Sequence, residues 1–587
     1  VRGPGYNPGD PSLSAPGSGG PGSGGPGSGG PGSGGPGFGG SGPGGRRGQG
    51  IPDYRSRSRK RRKRVRRLLT TLTVLLVVLL ALAGGGYAYA QYRYHQIKKV
   101  HVAGLKNSAG TAKSINILMV GDNSRCALQK YSKFYQQEKS HFGSCSNVGG
   151  GRSDVVMVAH LDPATHTGYL LSLPRDLWLP MPGGNGLELR VDDALNSAET
   201  PYLHLPFGPS LLVQAVEQDL GIPINDYIEL NFYTFEQVVN TLGGVSLYFP
   251  TELKDAYSGL SITHTGCIHL NGSQALALVR ARHLYYMSNG TWNYDGTGDL
   301  GRIVRTHIFL RAVAAQVEHG ALSNPLEANA LLGSVLPDLK VNSSFSLSDM
   351  VSLVLAFRHV NPNSVPTTTL PVIVWNHPYQ DPANPANYQA PGQIVLPFQP
   401  QDQANIDNLL YGTTDPSWQH ISPSSITVSV VNATGQSGQA AQTASSLRAL
   451  GYQIAGTSDA SVTGGGPGDP FEAVVHYAPG DLSLGERVLS NIGGEAIMAQ
   501  GGTTAGAQVT VTTGTDFAVT SPGSATPSAT TPASTTTPPS TSAVSSSPQL
   551  SQLQQSNLWG STHSHSQFWW DPEACGPNGG PPASTAG

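Results

Sequence analysis

The sequence predicts an α/β protein: a membrane-anchored α/β/α sandwich followed by a small α/β domain. Three observations predict it. Between residues 114 and 319, short apolar runs bounded by turn residues alternate with segments of helical period. A second alternation of the same kind starts near Ser425. An uncharged stretch from Leu68 to Ala90 precedes both and is long enough to cross a bilayer as a helix.

The 587 residues leave room for two or three domains, but the 74 glycines and 45 prolines cluster toward the ends. Residues 1–67 read as a disordered head with a five-residue Gly-Gly-Pro-Gly-Ser repeat. Such sequence buries too little apolar surface to offset chain entropy. A period of five rather than three argues against collagen.

Ten basic residues lie between Arg55 and Arg67, so the net charge of −2 leaves the rest of the chain at −12. A basic run alone permits a nucleic-acid reading. The apolar stretch 68–90 that follows at once makes it the cytoplasmic flank of a single membrane helix, and no nucleic-acid partner is expected. No small-residue cleavage site is evident and 67 residues precede the stretch, so the helix is expected to stay as an anchor. Everything after about residue 91 then lies outside the cell membrane.

A short spacer leads to strands at Ser114–Val120, Asp154–Leu161 and Gly168–Leu173. Helical spacing follows at Ser210–Leu220, Tyr233–Leu242, Ser273–Arg282 and Arg302–His319, with Gly221 and Gly243 as stops. These elements define a first domain over 101–415. A second over 425–502 has strands at Ile426–Val431, Ala473–Tyr477 and Ala496–Ala499 and helices at Gly438–Leu450 and Leu482–Asn491. Residues 503–587 are rich in Ser, Thr and Pro and read as an unstructured tail.

All four cysteines fall on the outer side. Cys126 and Cys145 flank a polar insertion, and a disulfide between them would contribute about 3 kcal/mol. Cys267 and Cys575 receive no partner from the sequence. No Cys/His spacing resembles a zinc site.

Only 12% of the chain is charged, yet Arg and Asp gather at the ends of apolar segments. They occur as Asp122 with Arg125, Arg152 with Asp154, Arg175 with Asp176, Arg280 with Arg282, and Asp299 with Arg302. Arginine is the planar, bidentate partner of phosphate oxygens. Aspartate is a hard ligand for Mg²⁺ and a base. Read singly, Arg175 with Asp176 is a surface ion pair at a strand end; together, the clusters point to a ligand site. Arg280 and Arg282 would face apart on a continuing helix and converge if the chain unwinds there. A Gly-x-Ser-x-Gly elbow, a His-paired cysteine and a Walker loop are all missing from the folded part. What remains is a metal and arginine clamp on a diphosphate, attacked by an external hydroxyl.

From about Ser114 to Glu318 the chain resembles the LytR-CpsA-Psr proteins of bacterial envelopes. The resemblance rests on NILMVGDNSR, GRSDVVMVAHLDPATHTGYLLSLPRD, DLGIPINDYIELNFYTFEQVVNTLGGVSLYFP, HLNGSQALALVRARH and GDLGRIVRTH, in that order. The segment from 426 to about 500 looks like the C-terminal domain often attached to them. The resemblance implies a Mg²⁺-dependent (or Mn²⁺-dependent) phosphotransferase that moves a glycopolymer from a polyprenyl-pyrophosphate carrier to peptidoglycan. It assigns Asp122 and Asp154 to the metal. It assigns Arg152, Arg175, Arg280, Arg282 and Arg302 to the pyrophosphate, with Arg125 and Asp176 as further members. Asp299 would orient the arginines or act as base; Arg175, Arg282 and Arg302 would share in catalysis. Two departures stand out: the long Cys-bearing insertion after Asp122, and Arg190-Val-Asp-Asp193 in place of a Lys-Ile-Asn-Ala type of sequence. The Gly- and Ala-rich composition points to an actinobacterium and thus to arabinogalactan as the polymer. The competing expectation is a non-catalytic lipid- or glycan-binding regulator of envelope assembly.

Overall fold

The computed structural model describes residues 54–106, 114–124, 136, 140, 151–184, 187–195, 205–319, 325–357, 360–375, 379–380, 388–389, 394–399, 401–411, 417–459, 473–514, 517–520, 558–559 and 568–576. Arg125, Cys126 and Cys145 lie outside the described residues, as does most of the Gly/Pro head.

The basic run and the apolar stretch form one helix, Tyr54–Tyr94. Its Arg66–Tyr94 part contains a window of mean hydropathy 2.4, none of it buried. Leu75 and Leu82 stand 66% and 72% exposed. Water disfavours such exposure by about 25 cal/mol per Å², whereas a lipid phase does not. The helix is thus long and apolar enough to span a membrane.

Seven strands make the main sheet, in the order 98–100, 340–342, 226–231, 115–122, 153–162, 167–173, 367–369. The three central neighbours 115–122, 153–162 and 167–173 are antiparallel, while 226–231 runs parallel to 115–122. Side chains alternate across this sheet. Leu118, Val120, Val156, Val158, Leu171 and Leu173 face a core shared with Leu211, Leu212, Val213 and Val216 of the helix Pro209–Asp219. Met119, Val155, Met157, Ile228 and Leu230 face the other way. There the helices Phe232–Thr241, Gly272–Arg280 and Gly298–His319 pack. Sheet and helices therefore build the three-layer α/β arrangement that the alternating pattern predicts.

Local chemistry fixes where these helices begin. Asn231, the last residue of its strand, accepts a hydrogen bond from the Thr234 N–H at 2.9 Å and so turns strand directly into helix. Asn271 and Gln274 form a reciprocal capping box on the next helix. Gly221 and Gly243 end their helices at φ 68° and 82°, as the sequence predicts.

The second domain corrects the expected boundary at 502. Val509–Thr513 is a strand between Thr427–Asn432 and Ala473–Tyr477, the very middle of that domain's sheet. Its Thr-rich sequence resembles the tail in composition, but Val509 and Val511 are fully buried. Phe517–Val519 adds to the Ile492–Gln500 strand. That strand also pairs with Ile394–Gln399, so the sheet of the second domain runs on into strands of the first.

The tail is corrected a second time near its end. Glu573–Ala574 pairs with Tyr248 and Leu247 of the strand Val245–Phe249. Cys575 forms a disulfide with Cys267, with Cα atoms 5.7 Å apart.

Candidate active site

The strands 115–122, 167–173 and 226–231 end, and 153–162 begins, at one edge of the main sheet. Asp122, Asp154, Arg175 and Asn231 are thereby gathered from four places in the sequence. The register of the first pair slips between Gly121 and Asp122: Gly121 faces Val155 and Asp122 faces Ser153. Asp154 is the extra residue of this bulge. Bulges commonly re-aim a side chain at a site.

Arg175 is the hub. Its Nη1 donates to Asp154 Oδ1 at 2.6 Å and lies 3.6 Å from Asp192 Oδ2. Its Nε lies 3.5 Å from Asp176 Oδ2 and 3.6 Å from Asp299 Oδ1. Burial disfavours the charged guanidinium, but these carboxylates outweigh it and push its pKa well above the ordinary value.

Asp299 and Arg302 come from the first turns of the helix Gly298–His319. Arg302 grips Asp299 with two bonds, Nε to Oδ1 at 2.8 Å and Nη2 to Oδ2 at 3.0 Å. The same Nη2 donates to the Asp154 carbonyl at 2.8 Å, tying helix to strand. Burial alone would raise the Asp299 pKa; Arg302, Arg175 and Arg282 reverse that and hold the carboxyl below its usual range. Asp176 goes the other way, because its burial exceeds what Arg175 returns.

Two arginines owe their place to the end of a helix. The helix Gly272–Arg280 stops at Ala281, whose backbone is extended (φ −67°, ψ 113°). The unwinding lets Arg280 and Arg282 converge on one cavity. Asp255, fully buried, accepts from the N–H groups of Arg282 and His283, each at 2.9 Å, and fixes the turn. The Arg280 guanidinium sits 4.8 Å over the Phe232 ring.

The cavity holds about 240 Å³. Its walls are apolar: Met119, Val155, Met157, Ile228 and Leu230 from the sheet, and Phe232, Phe235, Leu276, Val279 and Leu310 from the helices. Its polar lining is Asp154, Arg175, Arg280, Arg282, Asp299 and Arg302, with Asn231 and Thr306. The shape suits an apolar chain with an anionic head.

Asp122 stands beside this lining. Its carboxylate accepts from the Ser124 N–H at 2.7 Å and lies 3.7 Å from Lys340 Nζ, which also pairs with Glu229. Burial and then Glu229 raise its pKa to about 6. Among the described residues, no three His, Cys, Asp or Glu side chains form a metal-binding group. Mg²⁺ keeps several waters and takes one or two carboxylates plus substrate phosphates. Asp122 and Asp154, neighbours across the bulge, fit that oxygen-donor demand.

Arg152 pairs with Asp193, Nε to Oδ1 at 3.1 Å. Arg190 reaches Asp193 at 3.2 Å, Asp192 at 3.6 Å and Asp176 at 3.8 Å. Asp192, Asp193 and Arg190 belong to the site's charge network, although in the sequence they stand out only as a departure from the family pattern. Burial and then Asp193 push Asp192 up to about 8. Asp255 and Lys340 reach the site only through contacts between segments far apart in sequence.

Over residues 86–393 the chain matches the LytR_cpsA_psr family. The match covers more than half of its length, and the protein belongs to that family. Residues 425–517 match a second family, the LytR cell envelope-related transcriptional attenuator. A probable cell wall biosynthesis protein LcpB of Corynebacterium glutamicum is 28% identical over 285 residues, 48% of this chain and 60% of that protein. A polyisoprenyl-teichoic acid–peptidoglycan teichoic acid transferase TagU of Enterococcus faecalis is 30% identical over 216 residues, 37% of this chain and 62% of its own. The chain thus spans less than two thirds of the length of each. Among solved structures, a LytR-Csp2A-Psr enzyme from Actinomyces oris is 23% identical with a TM-score of 0.40, covering 54% of this chain and 96% of that one. TagT of B. subtilis is 22% identical with a TM-score of 0.34, covering 54% and 100%.

Proposed function

We propose that this protein transfers a glycopolymer from a polyprenyl-diphosphate carrier to a hydroxyl of peptidoglycan. The observation that carries the proposal is the apolar cavity with Arg175, Arg280, Arg282 and Arg302 in its polar lining. The isoprenoid lies between the main sheet and the helices. The arginines take the diphosphate oxygens, exchanging part of their bonds to aspartate for bonds to phosphate. The acceptor hydroxyl forms a new P–O bond at the glycan-bearing phosphorus. The bridging P–O bond breaks, polyprenyl phosphate leaves, and one proton is released. Four guanidinium groups in a low-dielectric cleft stabilise the charge that builds on the leaving phosphate.

Asp299 serves as the orienting residue, since its two bonds to Arg302 and its lowered pKa suit a fixed anion better than a proton acceptor. Asp122 and Asp154 would hold Mg²⁺ or Mn²⁺, which supplies charge neutralisation on the diphosphate. Arabinogalactan is the proposed polymer. Water in place of the hydroxyl would give diphosphate cleavage.

The basic flank Arg55–Arg67 is placed in the cytoplasm and both α/β domains outside. The Cys267–Cys575 disulfide supports an oxidising exterior. The test is polyprenyl phosphate release by the full chain in lipid nanodiscs, given a polyprenyl-diphosphate glycan, peptidoglycan and Mg²⁺. Release that Arg282→Ala abolishes is expected. Release equal in wild type and Arg282→Ala, or none from wild type, overturns the proposal.

A further inference from the structure

Arg305 is fully buried one helical turn from Arg302, yet it does not line the cavity. Its Nη1 donates to Asp295 Oδ2 at 3.0 Å and to Asp571 Oδ1 at 3.2 Å. Its Nη2 donates to the Ala281 carbonyl at 3.0 Å. Ala281 is the residue between Arg280 and Arg282, where the helix unwinds. Gly301 leaves room for this guanidinium: a Cβ there would stand 3.2 Å from Nη1 and collide with Thr297 Oγ1.

Asp571 arrives from the far end of the chain, 266 residues beyond Arg305. The segment that carries it is anchored on both sides. Upstream, Trp570 stacks on Tyr286 with centroids 4.1 Å apart, and Phe568 stacks on Trp570 at 4.6 Å. Downstream come the strand pairing of Glu573–Ala574 and the disulfide to Cys267. The Phe568 N–H also donates to Asp571 Oδ2 at 3.1 Å, which fixes the carboxylate. Asp571 is 0% exposed.

We propose that residues 568–576 form a covalently tethered strap whose Asp571 is a positioning residue for the cavity arginines, acting through Arg305 and the Ala281 peptide. This rests on the diphosphate-transfer reading above. Two carboxylates hold Nη1 from different sides, and their joint pull aims Nη2 at Ala281. Among the described residues, Asp295 Oδ1 has no hydrogen-bond partner. With Asp571 gone, Arg305 turns to grip both oxygens of Asp295, the preferred bidentate geometry, and leaves the Ala281 carbonyl. The turn carrying Arg280 and Arg282 then loses one of its two braces and keeps only Asp255. The disulfide makes the brace dependent on the oxidising exterior.

The test compares full-length Asp571→Asn, Asp571→Ala, Cys575→Ser and Arg282→Ala with wild type. Donor kcat and KM are measured together with amide hydrogen exchange at Arg282 and His283. Arg282→Ala is expected to abolish transfer. Asp571→Asn and Asp571→Ala are expected to lower kcat/KM about 10- to 100-fold, with at least tenfold faster exchange at the two amides and an intact far-UV spectrum. Cys575→Ser should lower kcat/KM a few-fold, and reduction of wild type should reproduce this, reversibly. Should Asp571→Ala fail to fold, the isosteric Asp571→Asn and the reduced wild type carry the test. Asp571→Asn and reduced wild type within twofold of wild type in kcat/KM, with unchanged exchange while Arg282→Ala is dead, overturn the strap but not the transfer reading. Wild-type transfer by Arg282→Ala overturns the transfer reading itself.

Discussion

The cavity rim and the contact between the two α/β domains both bury carboxylates, and they handle them in opposite ways. At the rim, Asp154 and Asp299 face Arg175 and Arg302 at hydrogen-bond distance, and Asp299 is held ionised. Between the domains, Asp402 and Asp407 have neutral partners. Asp402 accepts from Gln399 Nε2 at 2.8 Å, and Asp407 accepts from Gln403 Nε2 at 3.1 Å and Trp418 Nε1 at 3.3 Å. Among the described residues, Asp219 Oδ2 has no hydrogen-bond partner, and Tyr477 Oη donates nearby to the Gln218 carbonyl. Burial raises Asp219 and Asp402 well above the ordinary value and Glu486 to about 7. Ionised carboxylates in the first region hold the arginines in place at the cavity. Neutral ones in the second avoid the cost of burying an unpaired charge. At Asp299 the guanidinium groups outweigh burial, whereas at Asp176 and Asp192 of the same network burial prevails, as it does between the domains.

Removing the guanidinium groups should break the contrast most severely. Arg302→Ala is expected to cut the transfer rate about 10³-fold, the scale seen when a preorganised charge stabiliser is lost. It also leaves Asp299 buried without its main partner, so thermal unfolding should fall with it. Asp299→Asn keeps the shape and removes the charge. Its rate should drop about 10²-fold while the pH–rate profile keeps the wild-type form, because Asp299 orients rather than accepts the proton. A lost basic limb in that profile would make Asp299 the base instead.

A smaller effect probes the apolar wall. Leu276→Trp fills the cavity and should raise KM about tenfold for a long polyprenyl donor. A donor with one or two isoprene units should be affected less, and equal losses for both would place the lipid elsewhere.

The interdomain carboxylates should matter least for rate and most for pH. Burial lifts the Glu486 pKa in the folded protein to about 7, against an ordinary value of 4.5. The folded protein therefore binds more protons than the unfolded chain between those values, and stability falls as pH rises through that window. The full contribution is present below about 4.5 and lost above about 7. Its size is roughly 3 kcal/mol at most. Glu486→Gln should flatten the decline in melting temperature from pH 5 to 8 and leave the transfer rate within twofold.

What the sequence reveals follows the same division. Asp154, Arg175, Asp299 and Arg302 are legible because each sits at a strand end or helix start that local pattern predicts. Arg280 and Arg282 are legible as a pair, but their convergence depends on the unwound Ala281, which apolar spacing does not reveal. Asp255, Lys340 and Asp571 act through contacts made by residues far apart in sequence. The Val509–Thr513 strand is hidden by a composition that matches the tail beyond it. Only the burial of alternate valines between two neighbouring strands separates it from that tail.

The central claim is that the arginine-rimmed cavity takes a lipid diphosphate. A crystal structure of the protein with a non-hydrolysable polyprenyl-diphosphate glycan tests it most directly. The account places the isoprenoid against Met119, Met157 and Leu276, with diphosphate oxygens within 3.2 Å of guanidinium nitrogens of Arg175, Arg282 and Arg302. A lipid bound outside this cavity, or a diphosphate touching none of these arginines, would contradict it.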